Sequence, residues 1–116
     1  MKILNFTQGR TNMTSLQGYL ETDYNTLVEV FGTPTYVDSS ADGKVNTEWE
    51  LQFDVEDGDE PKTVYATIYD WKDYDGGLRS RSGTPYRWHI GGFNWEAVEA
   101  VQQCVKFPEI AEINPA

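Results

Sequence analysis

Polar and apolar positions alternate most regularly between residues 45 and 55. One side of this alternation consists of Val45, Thr47, Trp49, Leu51, Phe53 and Val55, and the residues between them are all polar. A period of two predicts a β-strand with one buried face and one solvated face. Shorter patterns of the same kind predict strands over 16–20, about 63–71 and 86–90, with the polar residues 56–61 forming a hairpin loop.

Two other segments have the spacing of amphipathic helices. The apolar stripe of the first consists of Tyr24, Leu27, Val28 and Phe31. Thr22 or Asp23 can cap its amino end, and Gly32 ends it. The inner face of the second consists of Ala97, Val98, Val101, Cys104 and Val105. Asn94 can cap the amino end of this second helix.

These elements predict one α+β domain over residues 1–116, in the order β-α-β-β-β-α. Antiparallel hairpins and two amphipathic helices are most simply arranged as a sheet of about four strands with both helices packed on one face. Residues 1–13 and 107–116 contain no predicted element, and we expect both ends to be mobile. The chain has no apolar segment long enough to be a signal peptide or a membrane span, and one cysteine cannot form an internal disulfide. These features predict a cytoplasmic protein.

Charge changes this picture, because the formal net charge is -10 and most of it is concentrated in one third of the chain. Residues 42–75 contain eleven carboxylates and three lysines. Such acidity opposes binding to nucleic acid or to an anionic membrane and favours a protein partner with a basic surface, although solubility alone is an alternative explanation. The predicted acidic surface consists of Glu48, Glu50, Asp54, Glu56, Asp57, Asp59, Glu60, Asp73 and Asp75.

No set of residues for a known enzyme class is visible. A single histidine and a single cysteine cannot supply a structural zinc site, and Cys104 lies on the apolar side of its helix. The segment beginning at Asp38, with Ser40 and Asp42, resembles the start of a calcium-binding loop, but Trp49 stands where the bidentate glutamate belongs. A simple turn is therefore the stronger prediction there, and we expect a protein without catalytic activity or cofactor.

The alternation also predicts a candidate binding face. If Trp49 and Trp88 face the core, Arg87 and His89 point to the opposite side of the sheet. The complete candidate binding set consists of Tyr65, Tyr69, Trp71, Arg79, Arg81, Arg87 and His89. Such rings and cations can anchor a protein partner, stack on a base or bind a phosphate. Cross-strand packing without any ligand is the remaining alternative.

Two sequence strings carry a resemblance to other proteins. Residues 66–72, ATIYDWK, are followed by WHIGG at 88–92, and residues 27–34 and 44–49 fit the same pattern. Over roughly residues 14–105 the chain resembles a family of small, uncharacterised bacteriophage proteins. The resemblance implies an accessory protein acting in the cytoplasm of an infected bacterial host, and it implies no catalytic residues.

Together, these observations predict a phage-encoded acidic binding protein. We expect it to inhibit a host protein, such as a defence nuclease, whose basic surface it occupies partly by mimicking the charge of nucleic acid. The alternative is a protein that binds or sequesters a nucleotide through its arginine, histidine and aromatic residues.

Overall fold

One antiparallel sheet organises the protein. The computed structural model describes residues 1–9, 11–37, 44–72 and 77–108. Its elements are β1 (Lys2–Gln8), β2 (Ser15–Thr22), α1 (Tyr24–Phe31), β3 (Tyr36–Val37), β4 (Thr47–Asp57), β5 (Glu60–Tyr69), β6 (Tyr86–Gly92) and α2 (Glu96–Lys106). Five strands lie in the order β1-β4-β5-β6-β2, and the short β3 pairs with the beginning of β4.

The α+β class and the placement of both helices on one sheet face agree with the sequence prediction, but the number and order of strands differ. The sheet has six strands rather than about four. The prediction missed β1 because its buried residues, Ile3 and Phe6, are three positions apart. A register shift between Ile3 and Asn5 brings both side chains to the core side, which hides the period of two.

Residues 1–13 therefore contain an edge strand, although no element was predicted there. The β4–β5 hairpin is also longer than expected, because the strands continue to Asp57 and Glu60, which pair directly. Gly58, with a φ of 67°, supplies the positive torsion of a two-residue turn. The tail from residue 109 onward lies outside the described residues.

The first helix begins after its predicted cap Asp23, whereas α2 begins after Trp95, one residue later than the predicted cap Asn94. The Asp23 carboxylate accepts a hydrogen bond from the Thr26 amide at 2.6 Å, and Gly32 ends α1 with a φ of 88°. At the second helix, the Asn94 side-chain oxygen accepts from the Glu96 amide at 2.9 Å. These caps satisfy amides that the helices themselves leave unpaired.

Two tryptophans connect the sheet to α1. Trp49 and Trp88 are fully buried, with ring centroids 5.5 Å apart in an edge-to-face arrangement. The Trp49 indole donates to the carbonyl of Gly32 at 2.9 Å, and the Trp88 indole donates to the carbonyl of Thr22 at 3.1 Å. These carbonyls flank α1, so the sheet holds the helix at both ends.

The second helix approaches the sheet at glycines. A Cβ added at Gly92 would lie 2.4 Å from the Ala97 Cβ and 3.1 Å from the Tyr65 carbonyl oxygen. A Cβ added at Gly18 would lie 2.9 Å from a Val98 methyl group. No side chain larger than hydrogen fits between α2 and the sheet at Gly92 unless the backbone moves.

We expect Gly92→Ala to lower the free energy of unfolding by about 1–3 kcal/mol, because overpacking against backbone and a helical Cβ cannot be relieved by side-chain rotation. Urea unfolding measures this change. Gly9→Ala is the matched control, since its Cβ would meet only the mobile end of the Gln52 side chain. We expect a change within about 0.5 kcal/mol for the control. Equal losses in the two variants would contradict the proposed close approach of α2.

Candidate functional site

The sheet face opposite the helices carries a continuous row of side chains across five strands. Tyr19, His89, Tyr69, Glu48 and Tyr36 are successive cross-strand partners on β2, β6, β5, β4 and β3. Directly opposite residues have Cβ atoms about 4.5–5.5 Å apart, so neighbours in this row are in contact range. We call these five residues the outer row.

Three aromatic rings lie close to His89 of the outer row. Its ring centroid lies 5.0 Å from that of Tyr19, 5.4 Å from that of Tyr69 and 6.2 Å from that of Trp71. Trp71 and Tyr19 are about two-fifths exposed, at 40% and 39%. The structure thus brings together three of the residues predicted on this face. Tyr19 was missed because its contact with His89 depends on the pairing of β2 with β6, far away in the sequence.

The predicted basic residues lie on two different parts of the chain, on β6 and in the segment before it. The Arg87 guanidinium carbon lies 3.9 Å from the centroid of the Tyr19 ring, at one end of the outer row. Arg81 instead folds back locally, with its Nε donating to the Gly77 carbonyl at 3.3 Å. Arg79 and Arg81 lie in the segment between β5 and β6, whereas Arg87 and His89 lie on β6 itself.

Tyr65 is also separate from the outer row. It packs against Phe93, with ring centroids 5.8 Å apart. Tyr65 and Tyr69 share a face of β5 but are four residues apart, or about 13 Å along the strand. Between them, Thr67 pairs with Gly91, against which the Thr14 hydroxyl also lies. Tyr65 therefore contacts Phe93 at a different part of the sheet from the rings around His89.

His89 contributes a ring to this face rather than a charge. Burial, and after it the charge of Arg87, lowers the pKa of His89, whereas Asp70 acts in the opposite direction. A histidine with a lowered pKa is neutral at pH 7. Its Nδ1 is buried and has no hydrogen-bond partner among the described residues. Arg87 is thus the remaining cation of the predicted set at the outer row.

Two carboxylates occupy the other half of the outer face. Glu48 lies in the outer row, and Glu50 follows it on the same side of β4. Glu50 is only 6% exposed, and its Oε2 has no hydrogen-bond partner among the described residues. Burial, followed by the charges of Glu50 and Asp70, raises the pKa of Glu48 to about 7. Glu50 is therefore not part of an exposed acidic surface, which corrects the prediction for this residue.

Five other predicted acidic residues are exposed at the β4–β5 turn. They are Asp54, Glu56, Asp57, Asp59 and Glu60, and we call residues 54–60 the acidic hairpin. Lys62 pairs with Asp57 at 3.2 Å and also with Glu96. Two further predicted members, Asp73 and Asp75, lie outside the described residues. The calcium candidates Asp38, Ser40 and Asp42 also lie outside them.

Asp70 was not predicted to have a special role, but it fixes the end of β5 beside the outer row. This fully buried carboxylate accepts hydrogen bonds from the amides of Asn46 and Thr47 at 2.7 and 3.0 Å. Its other oxygen accepts from the Ser80 hydroxyl at 2.8 Å. Partners at separations of 10 to 24 residues leave no local sequence signal.

Several other features limit the chemistry of the protein. Within residues 1–9, 11–37, 44–72 and 77–108, no three histidine, cysteine or acidic side chains gather as metal ligands would. No helix in these ranges combines the length and apolar character needed to cross a membrane. Cys104 is buried, as predicted, and burial raises its pKa to about 12, which disfavours the reactive thiolate.

Comparison with protein-family models, curated proteins and solved structures found no match for this chain.

We expect Asp70→Ala to lower the free energy of unfolding by about 2–4 kcal/mol, because it leaves buried donors without an acceptor. Asp70→Asn retains an oxygen for the two amides, so the expected loss is smaller. Urea unfolding compares the two variants, and near-ultraviolet circular dichroism reports on the packing of the aromatic side chains as a whole. Equal stability of wild type and Asp70→Ala would contradict this role.

Glu48 makes stability depend on pH. Because its pKa is raised from 4.5 to about 7 on folding, its neutral form stabilises the native state at low pH. This contribution is fully present below about pH 4.5 and is lost as the pH rises through 7. After a discount for solvent screening, we expect a loss of about 1–2 kcal/mol.

Urea unfolding between pH 4 and pH 8 tests this effect. Glu48→Gln should be more stable than wild type at pH 8 and nearly equal to it at pH 4. Glu56→Gln, which removes an exposed carboxylate of the acidic hairpin, is the control and should follow the wild-type curve closely. Parallel curves for wild type and Glu48→Gln would contradict the raised pKa.

Proposed function

We propose that this chain is an acidic binding protein that docks on the basic surface of a partner protein. In this proposal the carboxylates of the acidic hairpin take the positions that nucleic-acid phosphates would occupy on the partner. The observation that supports the proposal is the exposure of all five of these carboxylates at the end of the β4–β5 hairpin. Lys62 neutralises part of this charge through Asp57.

The charge density of the acidic hairpin is comparable to that of a nucleic acid. A β-strand rises about 3.4 Å per residue, so five carboxylates are distributed over about 10 Å of hairpin, or one per 2–3 Å. Duplex DNA carries one phosphate per about 1.7 Å of its axis. A protein surface that binds nucleic acid would therefore meet a similar field, and salt would weaken the association.

The outer row and the adjacent Trp71 can provide the part of the contact from which water is excluded. Tyrosine and tryptophan are frequent energetic centres of protein interfaces because they bury a large area with few rotatable bonds. Trp71 and Tyr19 are partly exposed on the face that neither helix covers. The resemblance to phage proteins extends the proposal to a partner in the bacterial host, where binding would block a defence protein that uses its basic surface on nucleic acid.

Nucleotide binding receives less support from the geometry. Arg79 and Arg81 lie in the segment before β6 rather than on a strand of the outer row, and the lowered pKa of His89 keeps it neutral at pH 7. A phosphate approaching this face would also meet Glu48 and Glu50. Arg87 alone does not compensate for these two carboxylates.

We expect the acidic hairpin to determine partner capture. Glu56→Gln/Asp59→Asn removes two of its exposed charges and should reduce the amount of partner captured from bacterial cytosol severalfold. Glu29→Gln/Glu99→Gln removes two charges on the helices and should capture as wild type does. Quantitative mass spectrometry of the captured proteins measures both amounts. Added duplex DNA should release the partner, because both compete for the same basic surface.

The proposal fails if the hairpin variant and the helix variant capture the same partner equally. Capture that resists both 1 M salt and excess duplex DNA would also contradict charge mimicry, because a Debye length of about 3 Å at that ionic strength screens exposed charges.

A further inference from the structure

We propose that Glu48 and Glu50 together form the receptor for one arginine side chain of the partner protein. This inference rests on the proposed function, because it assumes a protein partner with a basic surface. It goes further by assigning the buried part of the interface to a specific pair of carboxylates and to one kind of side chain.

The first supporting observation is the unsatisfied state of Glu50. Glu50 is only 6% exposed, and its buried Oε2 has no hydrogen-bond partner in the described part of the protein. A buried carboxylate without a partner is costly, since it loses its hydration without gaining donors. A guanidinium that contacts Glu48 and the exposed remainder of Glu50 would bring a compensating charge close to this buried oxygen.

The second observation is that no described residue forms an ion pair with Glu48 or Glu50. In the described ranges, the ion pairs of the protein join Lys62 to Asp57 and Glu96, and none reaches Glu48 or Glu50. Two neighbouring carboxylates repel each other, which contributes to the raised pKa of Glu48. A cation between them would reverse this repulsion.

The third observation is the position of Glu48 between two aromatic rings. Tyr36 and Tyr69 are its direct partners on the two adjacent strands. A planar guanidinium can stack on a tyrosine ring while it donates to carboxylates, and its five donors can reach more than one oxygen. A lysine ammonium has a compact charge and lacks the planar fork. These geometric features favour arginine.

Titration with small arginine derivatives tests the receptor directly. The probes are N-acetyl-arginine amide, the neutral isostere N-acetyl-citrulline amide and N-acetyl-lysine amide, followed by two-dimensional NMR of the labelled full chain. We expect saturable shifts at Glu48, Tyr36 and Tyr69 with the arginine probe. Citrulline should bind at least about fivefold more weakly, because the charge contributes about 1 kcal/mol and 1.4 kcal/mol corresponds to a factor of ten.

Variants separate the pair from the general acidity of the protein. Glu48→Gln should abolish the saturable shifts, and Glu56→Gln, with the same change in charge on the acidic hairpin, should retain them. Because Glu48 is only partly buried, the variant is expected to fold, and its NMR spectrum verifies this. Equal binding of arginine and citrulline, or unchanged arginine binding by folded Glu48→Gln, would overturn the proposal.

A cation of the chain itself could also satisfy the pair. Arg10 lies outside the described residues and follows Gly9, whose amide donates to the Glu50 carbonyl at 3.0 Å. If Arg10→Gln and Glu50→Gln lower stability equally, and the double variant loses no more than either one, the counter-ion is internal and the proposal is overturned. Additive effects in the double variant support an external arginine.

Failure of this inference can be distinguished from failure of the proposed function. Charge-dependent capture by the acidic hairpin, without arginine binding at Glu48, would overturn only the receptor. Arginine binding at Glu48 combined with capture that does not depend on the hairpin would support the receptor and contradict the charge mimicry.

Discussion

The hydrogen bonds from Trp49 and Trp88 to the two ends of α1 are the interactions on which the arrangement of the protein depends. A buried indole needs an acceptor, and the carbonyls of Gly32 and Thr22 provide one at each end of the helix. Trp49 on β4 and Trp88 on β6 point to the same face of the sheet, and β5 lies between these two strands. The helix is therefore placed on that face, and the opposite face is left for other contacts.

The close approach of α2 to the sheet at Gly92 places the second helix on the same sheet face as α1. Glycine permits the helix to lie directly on the sheet backbone, so the core is closed by the two helices on one side. The outer row on the other side has no helix to cover it. Its polar and aromatic residues are consequently at least partly exposed, whereas Glu50 on the same side of β4 is almost completely buried.

The sequence allows the local elements to be predicted better than their pairing. The alternation around Trp49 and the cap at Asp23 are local signals, and the corresponding strand and helix are present. The strand β1 is hidden by its register shift, and β3 has only two residues. Periodicity also placed Tyr69 and His89 correctly on the outer face. It could not bring Tyr19 to them, since that contact depends on nonlocal strand pairing.

Burial separates side chains that are equivalent in sequence. Glu50 and Asp54 both occupy polar positions of one alternating strand, yet Glu50 is almost completely buried and Asp54 is exposed. A sequence pattern indicates which side of a strand a residue takes, but not what lies above that side. The buried hydrogen bonds of Asp70 illustrate the same limit, because each partner comes from a distant part of the chain.

The two groups of carboxylates are suited to different stages of association. Exposed charges on the acidic hairpin act over a Debye length, so they can accelerate the encounter with a basic surface, but water and salt keep their final contribution small. Glu48 and Glu50 are already partly desolvated, so a cation that reaches them gains more from contact and replaces less water. Partner choice would then depend mainly on these two residues and the adjacent tyrosines. The acidic hairpin would govern how fast, and in which orientation, the partner arrives.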